Sequence, residues 1–223
     1  FFTPNPNLAP EESKGWDAGL EWSALEGRLV LDVTYFEQDF RNRIDGFAPG
    51  PNFTFTAVNV PGTSTRDGVE VSGRFAITPA LMLSAAYTYL TARDAAGLDE
   101  VRRPRHAARA DLTWRFLDNR ATANLSVIYN GAMRDNAFFI DSYAFGFPNT
   151  TPMRTTLGDY TLVNAALSYK VSPGVEVFGR VENLLNERYY EIYGFATPGI
   201  AGYGGLKLTF GGEGQPSLVG SAR

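Results

Sequence analysis

The 223-residue chain contains no cysteine, so neither a disulfide framework nor a thiolate metal site can organise it. It has one histidine, His106, too few for a histidine-based metal cluster. No apolar run approaches the length of about 18 residues that a membrane-spanning helix needs. A surplus of positive charge is also missing. The 20 Lys and Arg stand against 24 Asp and Glu, a net charge of −4, which argues against a nucleic-acid binder. Neither a G-x-S-x-G elbow, a P-loop nor an H-E-x-x-H motif occurs. The carboxylate pairs Glu11-Glu12 and Asp99-Glu100 fall in polar stretches and read as solvated surface. No catalytic residue, metal ligand or cofactor is expected, and the chain does not read as an enzyme. An initiator Met and a signal peptide are also absent.

What is abundant is aromatic residues and glycine: 16 Phe, 11 Tyr, 3 Trp and 23 Gly. Many of the aromatics sit in segments that alternate with period 2, the signature of strands with one apolar and one polar face. Leu29, Leu31, Val33 and Tyr35 oppose Asp32 and Thr34. Val69, Val71, Phe75 and Ile77 oppose Glu70, Ser72 and Arg74. Leu81, Leu83, Ala85, Tyr87 and Tyr89 oppose Ser84 and Thr88. Ala108, Ala110, Leu112, Trp114 and Phe116 oppose Arg109, Asp111 and Arg115. The mean hydropathy of −0.17 suits a soluble protein, but a membrane β-barrel gives the same value because half of each strand faces a polar lumen.

Nine strands are expected, at roughly 15–24, 27–45, 53–77, 80–92, 104–117, 120–133, 158–170, 174–185 and 199–210. The 53–77 segment reads as one long strand kinked at Pro61-Gly62, with two strands joined by a turn at Pro61–Arg66 as the alternative. Short connections at Ala24–Gly27, Thr78–Pro79, Leu117–Asn119 and Ser172–Gly174 alternate with long ones at about 46–52, 93–103, 134–157 and 186–198. Tight turns at one end and long loops at the other are the pattern of outer-membrane barrels.

Three motifs carry a family resemblance. The block Glu182-Asn183-Leu184-Leu185-Asn186 is followed by Tyr189-Tyr190, by Tyr193-Gly194-Phe195-Ala196-Thr197-Pro198-Gly199 and by a last strand ending on Phe210. Near the start stands Asn5-Pro6-Asn7-Leu8-Ala9-Pro10-Glu11-Glu12-Ser13, and between them Arg66-Asp67-Gly68-Val69-Glu70-Val71-Ser72-Gly73. In this order they resemble the C-terminal barrel portion of TonB-dependent outer-membrane receptors.

The resemblance implies an all-β fold, an antiparallel transmembrane β-barrel, of which residues 1–210 supply about nine of about 22 strands around a plug. Residues 211–223 read as a polar, disordered Gly/Ser-rich tail, a departure from barrels that end on the terminal aromatic. It also implies a multi-pass protein of a Gram-negative outer membrane. Such a receptor takes up a bulky ligand, a ferric siderophore or cobalamin, by active transport. Its partners would be the TonB-ExbB-ExbD complex, reached through a plug and a TonB-contacting motif that this sequence lacks, and outer-membrane lipid with lipopolysaccharide. Two alternatives stand: a passive porin-type barrel, and a soluble β-sandwich that binds carbohydrate.

Candidate ligand contacts lie in the long connections. Arg134, Phe139, Tyr143, Phe145, Phe147 and Arg154 combine exposed aromatics with cations, the chemistry that grips a bulky amphiphile. Tyr190, Tyr193 and Phe195 repeat it in the last loop. The alternative for both sets is an aromatic girdle or packing between loops. Arg102, Arg103 and Arg105 read as a rim that attracts an anionic ligand or lipopolysaccharide phosphates, with a plain solvated rim as the alternative. Polar-face charges at Glu70, Arg74, Arg109, Asp111, Arg115, Glu176, Arg180 and Glu182 are expected to pair across strands or with the plug.

Overall fold

The computed structural model describes residues 2–50, 54–144 and 147–210. Among them it contains strands and turns but no helix. The strands are β1 (Glu12–Ala24), β2 (Leu29–Arg41), β3 (Ile44–Pro49), β4 (Phe55–Asn59), β5 (Thr63–Thr78), β6 (Leu81–Arg93) and β7 (His106–Phe116). They continue with β8 (Ala121–Asn130), β9 (Met133–Ala144), β10 (Phe147–Leu157), β11 (Tyr160–Ser172), β12 (Val175–Glu182) and β13 (Ala201–Leu208). Nine of them form one antiparallel sheet in the order β1-β2-β5-β6-β7-β8-β11-β12-β13. The remaining four make two two-stranded hairpins, β3 with β4 and β9 with β10.

The nine expected strands are these nine, and the register confirms their faces. One row runs through Leu29, Phe75, Leu83, Leu112, Leu125, Ala165 and Val181 on successive neighbours. The next row, on the opposite face, runs through Arg74, Ser84, Asp111, Ser126 and Asn164. A sheet with period-2 side chains cannot slip by one residue without exchanging these two rows, so the pattern fixes the pairing.

No second sheet covers the apolar face among the described residues, and its side chains lie open: Leu20 is 72% exposed, Leu167 51% and Leu206 66%. That removes the β-sandwich alternative, which needs two packed sheets. Aromatics collect at the two ends of this face. Trp16 and Tyr35 stand 5.3 Å apart at one end, and Trp114 and Phe116 4.4 Å apart at the other. From Trp16 to Trp22 along β1 is roughly 20 Å at about 3.3 Å per residue.

All four tight connections lie at one edge, called here the turn end. Leu25, Glu26 and Gly27 take φ of 54°, 56° and 82°, and Leu117, Asp118 and Asn119 take 53°, 53° and 62°. Three consecutive left-handed residues reverse the chain within four residues, between Ala24 and Leu29 and between Phe116 and Ala121.

Several expected boundaries move. The 53–77 strand is interrupted rather than reversed. Gly62 has φ of 100°, the chain breaks between β4 and β5, and the Val60 amide still donates to the Arg43 carbonyl at 2.7 Å across the gap. Its partner strand breaks at the same level, at Asn42 with φ of 53°. The parity of the turns is therefore kept. The strand expected to reach residue 133 ends at Asn130, and the expected loop 134–157 is the hairpin β9–β10, its strands paired from Met133–Leu157 to Ala144–Phe147. The strand expected to reach Leu185 ends at Glu182, because Asn183 turns left-handed with φ of 50°. The tail 211–223 lies outside the described residues.

Candidate functional site

The described parts of the long connections gather at the end opposite the tight turns, and polar side chains fix segment 94–105, the β9–β10 hairpin and the last loop. Asn183 sets the base of the last one. Its amide Nδ2 donates to the carbonyls of Glu187 at 2.9 Å and Pro198 at 3.3 Å, and its Oδ1 accepts the Glu187 amide at 2.8 Å. Its own amide donates to Asn164 Oδ1 on β11 at 2.8 Å. Asn186 closes the other side, accepting the Ile200 amide at 3.0 Å on Oδ1. Both asparagines tolerate the positive φ they adopt, 50° and 52°. The Glu182-Asn183-Leu184-Leu185-Asn186 block thus acts as a latch: Glu182 pairs with Arg180 at 3.2 Å, and Leu184 donates its amide to the Val163 carbonyl at 2.7 Å. Phe210, just beyond β13, is 85% exposed.

Asp135, on β9, is the deepest charge at this end, with none of its surface exposed. Its carboxylate accepts the Tyr193 amide at 2.7 Å, the Asn136 amide at 2.9 Å and Arg102 Nε at 2.9 Å. Burial alone would raise its pKa. The two amides and the guanidinium outweigh burial and hold it below the ordinary carboxylate value. One side chain therefore ties β9 to segment 94–105 and to the last loop. Nothing in the sequence marks it, because its partners lie 33 and 58 residues away.

Segment 94–105 is the hub of the remaining contacts. Asp94 Oδ1 accepts the amides of Ala96 and Leu98 at 3.0 Å each, a side-chain-capped turn completed by Gly97 with φ of 77°. Its other oxygen takes Arg154 Nη2 at 2.8 Å. Desolvation opposes ionisation of Asp94, but the Leu98 amide, Arg154 and the Ala96 amide outweigh it and lower its pKa. Glu100, read from sequence as solvated, is only 6% exposed. It is drawn in by three guanidiniums: Arg43 at 2.7 Å, Arg66 at 2.9 Å and Arg103 at 3.8 Å. Asp99 pairs with Arg93 at 3.0 Å and Arg105 at 3.2 Å.

The sequence-derived candidates fall into three groups. Arg102, Arg103 and Arg105 each face a carboxylate, Asp135, Glu100 and Asp99 respectively, while about half of each side chain stays exposed. Arg134 donates to Thr156 Oγ1 on the opposing strand, and Arg154 bridges to Asp94 and to the Asp99 carbonyl. Tyr190, Tyr193 and Phe195 present 51%, 42% and 69% of their surfaces to solvent. Phe145 lies outside the described residues, as do the side chains of Phe139, Tyr143 and Phe147. Near the exposed tyrosines, the Tyr189 ring packs at a tilt against Tyr160 with centroids 4.3 Å apart, and its hydroxyl pKa is raised by burial and by the Glu191 carboxylate.

On the polar face of the sheet, Arg109 pairs with Asp111 at 2.6 Å and Arg180 with Glu182 at 3.2 Å. Both of these pairs lie along a single strand, two residues apart, rather than across to a neighbour. The Arg180 guanidinium also lies 4.5 Å over the Tyr203 ring. Glycine at 68 has a structural cause: a Cβ there would run into the Tyr89 carbonyl oxygen and come within 2.8 Å of the Phe36 ring.

Known proteins resemble this chain in sequence and in fold. The family model for TonB dependent receptor-like β-barrels matches residues 1–184. The chain is 31% identical over 191 residues to the vitamin B12 transporter BtuB of Photobacterium profundum, covering 83% of this chain and 28% of that protein. Among solved structures, the ferripyoverdine receptor of the Pseudomonas aeruginosa outer membrane superposes with a TM-score of 0.72 at 19% identity, over 90% of this chain and 27% of that one. The siderophore receptor PirA of Acinetobacter baumannii superposes with 0.71 at 16% identity, over 94% and 33%. The chain therefore spans about a third or less of the length of these relatives, and their siderophore-receptor structures show the shared fold. With a two-faced antiparallel sheet, tight turns at one end and a family match over most of its length, this chain belongs to the TonB-dependent receptors, in their β-barrel portion.

Proposed function

We propose that this chain forms wall and extracellular loops of an outer-membrane receptor that imports a scarce, bulky nutrient by TonB-coupled transport. The observation that carries the reading is the combination of an uncovered apolar face, bordered by aromatics, with a polar face that carries charged side chains, among them the ion pairs Arg109–Asp111 and Arg180–Glu182. In water such a face costs on the order of 2 kcal/mol for each large side chain left exposed. Against hydrocarbon that cost vanishes, and the aromatic borders match the two membrane interfaces.

In this arrangement the end with the long connections faces outward and offers Tyr190, Tyr193, Phe195, Arg134 and Arg154 to the ligand. Phe139, Tyr143, Phe145 and Phe147 remain candidates by their chemistry and sequence position alone. The turn end faces the periplasm, where a plug domain would reach TonB with ExbB and ExbD. Cobalamin is the first ligand to test, since the 31% identical relative is a vitamin B12 transporter; a ferric siderophore is the second. Lipid and lipopolysaccharide surround the apolar face. The chain has no role in covalent chemistry.

The reading is tested by uptake of radiolabelled cobalamin and of ferric siderophores in cells expressing the full-length receptor, with and without TonB. Accumulation that requires TonB supports it. Accumulation that is unchanged without TonB would point to the passive porin-type alternative.

A further inference from the structure

Five guanidiniums share two carboxylates in one corner of the loop end. Asp99 is divided between Arg93 and Arg105, and Glu100 among Arg43, Arg66 and Arg103. Arg134 adds a sixth cation, whose guanidinium meets the Thr156 hydroxyl and, among the described residues, pairs with no carboxylate. In a chain of net charge −4, this corner carries a local surplus of positive charge. Like charges this close repel, and an anion placed among them relieves the repulsion while gaining charge-assisted hydrogen bonds.

The corner is also hollow. A depression of about 310 Å³ is lined by Arg103, Arg105, Arg134, Thr156 and the shared Asp99, with Leu90, Ala92 and Met133 forming an apolar wall. Leu90 and Ala92 alternate with Tyr89 on β6 and so lie on the polar, lumenal side of the sheet, the side of Arg109 and Asp111. The depression therefore opens toward the mouth of the lumen and not toward the lipid-facing surface.

We propose that this depression is an oxyanion site, in which Arg103, Arg105 and Arg134 with the Thr156 hydroxyl hold a phosphate or carboxylate group carried by the imported ligand. The guanidiniums supply planar pairs of donors suited to such a group, and the wall of Leu90, Ala92 and Met133 accommodates the apolar part beside it. The same chemistry could be met by a lipid A phosphate, but the placement on the lumenal side favours the ligand. The identity of the carrier rests on the uptake reading; the site itself does not.

The test is calorimetric titration of inorganic phosphate into the purified full-length receptor, in its wild-type form and with Arg134→Gln or Thr156→Val. Folding of each form is checked by its unfolding temperature. The expected result is saturable phosphate binding, weakened about tenfold by Arg134→Gln, and measurably by Thr156→Val. Absence of saturable binding, or equal binding by all three forms, would overturn the proposal. Loss of binding to lipopolysaccharide vesicles in Arg134→Gln, with cobalamin and siderophore binding unchanged, would also overturn it in favour of a lipid contact. Phosphate binding that depends on Arg134 in a protein that imports nothing would keep the site and remove the uptake reading, so the two fail separately.

Discussion

The wholly buried carboxylate of Asp135 accepts the backbone amide of Tyr193 at 2.7 Å, joining two loops 58 residues apart. Arg102 completes the contact from a third segment. The aromatic loop that carries Tyr190, Tyr193 and Phe195 is thus held by a charge at its tip as well as by the Asn183 latch at its base. Asp135→Ala leaves the Tyr193 amide without its acceptor and returns the half-exposed Arg102 guanidinium to solvent, at a cost of about 1–3 kcal/mol for the unsatisfied amide. The expected outcome is faster amide exchange across 188–197 in the folded receptor, with the exchange of β11 unchanged.

The same contact predicts a pH response. The pKa of Asp135 is lower in the folded protein than in the unfolded chain. Its stabilisation is therefore fully present above the ordinary carboxylate pKa of about 3.9, and is lost only as pH falls through the lower folded value. Amide exchange in 188–197, corrected for its intrinsic pH dependence, should show constant protection from neutral pH to about 5 and a loss in stronger acid. Asp135→Asn should flatten that acid-dependent loss.

Asn183 makes a second prediction. Its side chain gives three hydrogen bonds within the loop base, and its backbone sits at φ of 50°. At about 1 kcal/mol for each bond and about 1 for the left-handed backbone, Asn183→Ala should cost about 3–4 kcal/mol. Asn183→Gly should cost less, because glycine keeps the backbone and loses only the bonds. Urea unfolding of the two variants in the same detergent separates them.

Gly68 sits where a methyl group would strike the Tyr89 carbonyl and the Phe36 ring. Gly68→Ala should destabilise by about 1–3 kcal/mol, as overpacking does, and Phe36→Leu should recover part of it. Thermal unfolding of the single and double variants checks both statements.

The faces of the sheet should differ in their tolerance of charge. Leu125 on the apolar face and Asn124 on the polar face are neighbours in β8. Leu125→Arg should cost about 2–4 kcal/mol if that face meets the bilayer core, whereas Asn124→Arg should cost little. Folding into lipid vesicles at a series of urea concentrations measures the difference.

The strands were legible because period-2 alternation survives wherever one face is apolar, as in Leu29, Leu31, Val33 and Tyr35. The tight turns were legible from Gly27, Asn119 and Gly174. Strand ends were less so: Glu182 ends β12 because the side chain of Asn183 bonds to Glu187 and Pro198, and partners downstream leave no periodic mark. The segment around Phe139 and Tyr143 looked like a loop because its aromatics and prolines do not alternate, yet its backbone pairs as β9 and β10. Glu100 looked solvated because the arginines that enclose it include Arg43 and Arg66, 57 and 34 residues away.

The most direct test of the account is the sidedness of the two ends of the sheet. This segment has no cysteine, so a single one can be introduced at Phe195 in the last loop or at Asn119 in a tight turn. A bulky, membrane-impermeant maleimide is then applied to intact cells expressing the full-length receptor. The account predicts that Phe195→Cys is labelled at once and Asn119→Cys only after the outer membrane is opened. Labelling of Asn119→Cys in intact cells with Phe195→Cys protected, or equal labelling of both, would contradict it.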